Sequence, residues 1–217
     1  MKQGEGDIIF ISGTDTDAGK SYATGWLAAQ IAEEGKSVAT MKFVQTGNEG
    51  FSEDIAVHRS IMGIASLPED LSGLTAPEIY TYPASPSLAA KIDRRPVDLR
   101  KIETAMRTLA TNYDVLLVEG AGGLMVPLDY EGTLTIDFPL ANNLPVALVT
   151  NGKLGSINHT ILALEALKTR GMILHSLLYN THFDYDTVIA EDSLEYMKMY
   201  VERLFPGTPV LLVPSIK

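Results

Sequence analysis

The chain has 217 residues, 46% of them apolar and 20% charged, enough to bury a sizeable core beneath an ordinary polar surface. Its 27 acidic and 17 basic side chains leave a net charge of −10, which argues against a nucleic-acid or anionic-membrane surface. It has no cysteine, hence no disulfide or thiolate chemistry, and neither a signal-peptide core nor an apolar run near the ~20 residues that span a bilayer. The expectation is one cytoplasmic domain over residues 1–217, in which any anion is held locally by a few placed cations and backbone N–H groups.

Short, β-branched apolar runs alternate with amphipathic stretches. A first strand is expected at Ile8–Ser12 and a helix at Lys20–Glu34, ended by Gly35. A second strand at Ser37–Lys42 precedes a helix at Glu53–Met62, stopped by Gly63. Residues 64–98 lose periodicity and carry Pro68, Pro77, Pro83, Pro86 and Pro96; they read as an ordered excursion with a short helix near Ser87–Ile92. A helix at Leu99–Thr111 and strands at Asp114–Glu119 and Val146–Thr150 follow. The chain then runs through a helix at Ile157–Arg170, stopped by Gly171, and a strand at Ile173–Tyr179. It closes with a helix at Thr187–Phe205 and a strand at Val210–Val213. Continuously apolar strands are those buried on both faces, so the fold class is α/β: a mostly parallel central sheet flanked by helices. In such sheets ligands bind at the carboxyl edge, and the loops leaving the strands carry the chemistry.

The loop after the first strand reads Ser12-Gly13-Thr14-Asp15-Thr16-Asp17-Ala18-Gly19-Lys20-Ser21 and opens a helix. Strand, glycine-bearing loop and a helix beginning Gly-Lys-Ser make a phosphate cradle. Backbone N–H groups face the anion, Lys20 neutralises it, and the Ser21 hydroxyl is a ligand for Mg²⁺. The generic spacing would put glycine at Thr14, whereas Gly13 lies one residue too early. Out of context, Gly13 and Gly19 could serve a plain βα turn with Lys20 solvated; the strand–loop–helix order favours the cradle.

Other strand ends point the same way. Lys42 leaves the second strand in Met41-Lys42-Phe43-Val44-Gln45-Thr46-Gly47, either reaching the phosphates or snorkelling at the surface. Asp54 opens a helix after Ser52, as a metal carboxylate or as an acid favoured in a first turn. Glu119 follows a buried strand, where a carboxylate reaches nucleotide-bound Mg²⁺, and Gly120, Gly122 and Gly123 allow close approach or positive φ. Gly155-Ser156-Ile157-Asn158-His159 opens a further helix, a second anion site by its free N–H groups; His159 there reads as structural rather than as a base. Asn180 ends a strand and either reads an adenine edge or merely terminates the strand. His58, His175 and His182 show no metal-ligand spacing.

Taken in order, these segments resemble dethiobiotin synthetase. The family's Gly-Thr-Asp-Thr-x-x-Gly-Lys-Thr is similar to Gly13–Ser21, its Lys-Pro-Val-x-[Ser/Thr]-Gly to Lys42–Gly47, and its Lys-Leu-Gly-x-Ile-Asn-His to Lys153–His159. Its Val-Glu-Gly-Ala-Gly-Gly stands at Val118–Gly123. Each motif is weak alone; the ordered set covers most of the chain. The resemblance implies ATP as co-substrate, Mg²⁺, a homodimer, and 7,8-diaminopelargonate with CO₂ or bicarbonate as the other inputs. An amine would form a carbamate, the γ-phosphoryl group would move to it, and the second amine would close the ureido ring.

By position, the resemblance implies that the loop from Gly13, Thr14 and Asp15 through Thr16, Asp17, Ala18 and Gly19 to Lys20 and Ser21 binds the nucleotide. Thr16, Lys20 and Lys42 look catalytic, and Ser21, Asp54 and Glu119 look like the metal ligands. Asn180 is similar to the adenine reader. Asp17, Thr46, Ser85 and the Gly122 backbone fall near the diamine or carbamate, while Gly155, Ser156, Ile157, Asn158 and Tyr196 resemble the parts that receive the substrate carboxylate from a partner subunit. Phe43 stands where the family pattern has proline, and Asp17 where glutamate is common. Two other readings share the loop. A glutamine-dependent amidoligase would need a nucleophilic cysteine and a longer chain; a nucleotide-switch ATPase acting through protein partners usually carries a second lysine within Thr14–Asp17.

Overall fold

The computed structural model describes residues 6–215; the expected domain's extremities, 1–5 and 216–217, lie outside them. Six strands form one sheet: β1 (Asp7–Gly13), β2 (Val38–Lys42), β5 (Val115–Gly123), β6 (Val146–Asn151), β7 (Leu174–Asn180) and β8 (Val210–Val213). Their order is β2-β5-β1-β6-β7-β8, and every pairing is parallel. The chain steps from β1 to β2, returns to β5 beside β1, then crosses to β6 on the other side. That reversal opens a crevice at the carboxyl ends of β1 and its neighbours.

The two-residue period of the strands sorts their side chains into two cores. Ile8 and Phe10 of β1, Leu116 and Val118 of β5, and Val146 and Leu148 of β6 face one side, with Ile102, Met106 and Leu109 of α5 (Leu99–Ala110) and Leu164 of α7 (Ser156–Thr169). Ile9, Ile11, Leu117 and Val149 face the other, beneath Ala23, Leu27 and Ile31 of α1 (Lys20–Glu33). Burial on both faces is why these strands read as unbroken apolar runs. α8 (Thr187–Leu204) packs beside α7 and sends Met197 and Val201 into the first core.

The excursion over 64–98 is ordered, as expected, and holds more structure than its composition indicates. A second sheet pairs β3 (Gln45–Thr46) with β4 (Ile79–Tyr80). Two short helices, α3 (Pro68–Leu71) and α4 (Pro86–Ile92), each begin at proline, where the missing N–H is no loss. Asp70 pins α3 to α2 (Glu53–Met62) through paired bonds to Arg59 at 2.8 and 2.9 Å. The buried Glu78 carboxylate holds the segment by accepting from Tyr80, Arg95 and Lys101. A five-residue helix, α6 (Asp137–Ala141), was not anticipated; it is too short to show a period.

Phe43 turns into the core where the family pattern has proline. It is fully buried between Phe10 and Phe138, with ring centroids 5.7 and 4.9 Å away, and its N–H donates to Glu119 O at 2.8 Å. Proline could not make that bond. The aromatic residue therefore stitches the exit of β2 to β5 just where Lys42 and Glu119 emerge.

Candidate active site

Loops at the carboxyl edge enclose a cleft of about 1060 Å³. Its floor is the phosphate loop. Thr14 N–H still donates to Val149 O at 2.9 Å, so the chain leaves the sheet only at Asp15. The Asp15 carboxylate accepts from Thr16 N–H at 2.6 Å and begins a 3-10 turn at Thr16–Ala18. Gly19 follows with φ of 86° and opens α1. A Cβ there would be strained and would strike the Asn180 amide, so this glycine is required on two counts.

Thr16, Asp17, Gly19, Lys20 and Ser21 line the cleft. Lys20 is nearly buried, its ammonium donating to the Asp15 and Thr16 carbonyls at 2.9 and 3.2 Å. Burial, and then the charge of Lys42, pull its pKa down to about 8. A nucleotide whose phosphates were held by Lys20 would therefore bind less tightly as pH rises above about 8, where the free side chain loses its proton. Calorimetric titration from about pH 7 to about pH 9 should show it, and Lys20→Arg should flatten the dependence because guanidinium stays charged.

The opposite wall depends on a close helix crossing. A Cβ at Gly25 of α1 would press on Ile61 and on the His58 backbone at 3.0–3.2 Å, so glycine lets α2 lie against α1. Ser52 caps α2 by accepting from Ile55 N–H. The first turn of α2 then delivers Asp54 across to the phosphate loop.

Four side chains meet there. Ser21 Oγ donates within reach of both Asp54 Oδ1 (2.8 Å) and Glu119 Oε1 (2.9 Å). Lys42 Nζ lies 2.5 Å from Asp54 Oδ2, 2.7 Å from Glu119 Oε1 and 3.1 Å from Gly120 O. Burial alone would drive the Lys42 pKa down, but Glu119 and Asp54 outweigh it and hold it above the usual lysine value. For Glu119, burial would raise the pKa; the Lys42 charge and the His58 hydrogen bond overturn this and keep it far below the ordinary carboxylate range. The snorkelling alternative for Lys42 is thus wrong: the residue is 5% exposed, and its ammonium points inward.

The oxygen set of Ser21, Asp54 and Glu119 suits a hard cation. With one hydroxyl and two carboxylates, the remaining positions would fall to phosphate oxygens and water, the usual habit of Mg²⁺ beside nucleotides. Among the described residues no group of three or more acidic, His or Cys side chains could hold a metal by itself. The residues present fit Mg²⁺ brought with a triphosphate.

The Gly120–Gly123 stretch is strand rather than loop, for β5 continues to Gly123 and pairs there with Gly13. A Cβ at Gly120 would touch the Phe10 ring at 3.0 Å, so that glycine serves packing. Gly122, with φ of 67°, does line the cleft and sits near Thr16 Oγ1. Thr46 and Ser85 reach the cleft too, Ser85 from the start of α4. Asn180 is buried against the loop, donating to Ala18 O at 3.2 Å and accepting from His182 N–H at 3.1 Å.

Other expected site residues lie apart. Gly155, Ser156, Ile157 and Asn158 open α7 and Tyr196 sits on α8, none of them lining the cleft. Ser156 Oγ is buried with no hydrogen-bond partner among the described residues. His159 is exposed, not a structural histidine; its neighbour Thr160 takes the inward place and meets Thr150 Oγ1 at 2.6 Å.

Two features escaped the sequence reading. His58, fully buried, places Nε2 2.6 Å from Glu119 Oε2. Its position four residues after Asp54 on one helix face was the available signal. Phe183 lines the cleft with Lys153 Nζ 3.9 Å from its ring centre, a pairing that no local pattern reveals.

A family model described as the AAA domain matches residues 7–203. The chain is 50% identical over 186 residues to the ATP-dependent dethiobiotin synthetase BioD 2 of Haemophilus influenzae, covering 86% of this chain and 97% of that one. It is 45% identical to the enzyme of the same name from Pasteurella multocida, covering 93% and 94%, and 42% identical to ATP-dependent dethiobiotin synthetase BioD of Chlorobaculum tepidum, covering 95% and 87%. The chain belongs to the dethiobiotin synthetase family. The architecture of the chain is shared more widely. A ParA family ATPase from Chlorobium tepidum superposes with a TM-score of 0.53 at 15% identity, over 97% of this chain and 85% of that one. The cell division protein FtsY of Thermotoga maritima gives 0.56 at 16%, over 96% and 61%. These two show the P-loop fold alone.

Proposed function

We propose that this member of the dethiobiotin synthetase family joins 7,8-diaminopelargonate and CO₂ at the expense of ATP, giving dethiobiotin, ADP and phosphate. One amine nitrogen attacks CO₂ and loses a proton, forming a carbamate. A carbamate oxygen then attacks the γ-phosphorus and displaces ADP. The second amine attacks the carbonyl of the resulting carbamic-phosphoric anhydride, and phosphate leaves as the ring closes. No strong general base is demanded before phosphoryl transfer, because the carbamate is itself the nucleophile.

The observation that carries this reading is the convergence of Lys20, Lys42, Ser21, Asp54 and Glu119 in one cleft. Carbamate and triphosphate are both anions and repel unless cations lie between them. Lys20, at the loop, would hold the phosphates; Lys42, across from it, would draw the carbamate to the γ-phosphate. Mg²⁺, held by Ser21, Asp54 and Glu119, would neutralise charge on the transferring group. Thr16 and the Gly122 N–H would serve as neighbouring donors, and Asp17, Thr46 and Ser85, which line the same cleft, would face the diamine.

Gly155, Ser156, Ile157, Asn158 and Tyr196 would take the substrate carboxylate of a second copy, making a homodimer. The Ser156 hydroxyl, without a hydrogen-bond partner among the described residues, and the lack of a side-chain cap on this helix support that role. Asn180 would meet the adenine with the N–H and lone pair its internal bonds leave free. The acidic balance and the lack, among the described residues, of a helix long and apolar enough to cross a membrane accord with a cytoplasmic enzyme. Mass spectrometry of a mixture with ATP, Mg²⁺, bicarbonate and diamine tests the reaction. The expected product is heavier than the diamine by one carbonyl and lighter by two hydrogens, formed with equal ADP; ADP release without diamine would refute the reading.

A further inference from the structure

Glu119 has two oxygens with separate partners. Oε1 faces Ser21 and Lys42, the side turned to the cleft; Oε2 faces away, toward His58 Nε2 at 2.6 Å. The ion pair with Lys42 keeps the carboxylate ionised, so Oε2 can only accept and Nε2 must carry the proton. On the far side of the ring, Nδ1 lies 2.9 Å from Thr40 Oγ1. That hydroxyl already accepts from Arg59 NH1 at 2.8 Å, which leaves its own proton free for Nδ1. Arg59 is fixed in turn by its paired bonds to Asp70. Nε2 therefore donates to Oε2, and contacts at both ring nitrogens give the imidazole one orientation.

We propose that His58 is a positioning residue for the cation site: by gripping Oε2, with Thr40 and Arg59 locked behind it, it holds Glu119 in the rotamer that presents Oε1 to Ser21, Lys42 and the metal. The arrangement joins α2, which bears both Asp54 and His58, to the end of β5. One helix therefore supplies one carboxylate ligand and the support for the other carboxylate, Glu119. The inference rests on Ser21, Asp54 and Glu119 being the cation ligands. Supporting groups of this kind typically alter metal affinity by roughly 10–100-fold when removed.

The test is Mn²⁺ affinity, read by electron paramagnetic resonance on the whole protein with a non-hydrolysable ATP analogue, well below the melting temperature. His58→Leu fills the space without a donor and should weaken Mn²⁺ binding by roughly tenfold or more. His58→Gln, whose amide reaches Glu119, should return it to within about threefold of wild type. Should the leucine variant fail to fold, His58→Asn, too short to reach Glu119, gives the same reading. Ser21→Ala and Asp54→Asn serve as references. If they lose Mn²⁺ affinity while the donorless His58 variants keep it, the positioning role is overturned and the ligand assignment survives. If neither reference variant loses it, the ligand assignment fails and takes the inference with it.

Discussion

Replacing Lys42 by alanine should lower kcat by roughly 10²–10³-fold while ATP affinity stays within about threefold of wild type. The ammonium is buried, and its Nζ reaches both Asp54 and Glu119 at 2.5 and 2.7 Å. A cation fixed in a water-excluded site where negative charge gathers contributes about 3–4 kcal/mol to the transition state, and on the proposed reading ground-state nucleotide binding would rest on Lys20 and the loop N–H groups instead. A second consequence concerns stability. Without Lys42, Asp54 and Glu119 face each other uncompensated, so the nucleotide-free variant should melt lower, and added Mg²⁺ should raise its melting temperature more than it raises that of wild type. Steady-state kinetics at saturating substrates, calorimetry with ATP and thermal melts with and without Mg²⁺ check the set. Near-normal turnover would remove Lys42 from the chemistry.

Glu119→Gln should be the most damaging isosteric change in the protein. Glu119 is fully buried and accepts from Ser21, Lys42 and His58 together. Removing one partner of a buried ion pair costs about 3–5 kcal/mol, because the remaining charge stays desolvated. The effect carries a pH signature. The folded-state pKa of Glu119 is depressed below its ordinary value of 4.5, so the stability it confers is fully present above that pH. It is lost progressively as pH falls toward the folded value, where wild type also carries a neutral side chain. Denaturant midpoints of wild type and variant should therefore lie far apart near neutrality and draw together in acid. A gap that stays constant down to about pH 3 would mean that charge is not its source. On the alkaline side, the raised pKa of Lys42 keeps its contribution intact below the ordinary lysine value of 10.5, with loss only at higher pH.

The legibility of the fold followed from its physics. Strands such as Val146–Asn151 are buried on both faces, so their sequences stand out as apolar runs whatever surrounds them. Long helices such as Leu99–Ala110 announce themselves through one apolar stripe and a capping Asp98, which accepts from Arg100 and Lys101 N–H. The pairing of Gln45–Thr46 with Ile79–Tyr80 was not readable, since two residues have no period and the partner lies more than thirty residues away. The strand expected to end at Glu119, because glycine has little strand propensity, runs on to Gly123, since Gly13, Gly120 and Gly123 let the backbones and the Phe10 ring close up.

For the site, the amino-acid order alone placed a cradle at Gly13–Ser21 and cations and carboxylates at separate strand ends, because local rules govern strand–loop–helix turns and the residues that follow buried strands. It left open whether Lys42 points inward, whether Asp54 is more than a first-turn acid, and why Phe43 stands after Lys42. Those were settled by contacts between distant segments: Gly25 admitting α2 against α1, Phe10 and Phe138 enclosing Phe43, and His58 turning toward Glu119. Sequence specifies what each turn can hold, through backbone geometry and side-chain chemistry. Only packing decides which charges share one desolvated space, and there the Glu119 carboxylate and the Lys20 and Lys42 ammonium groups acquire acidities none has in its own segment.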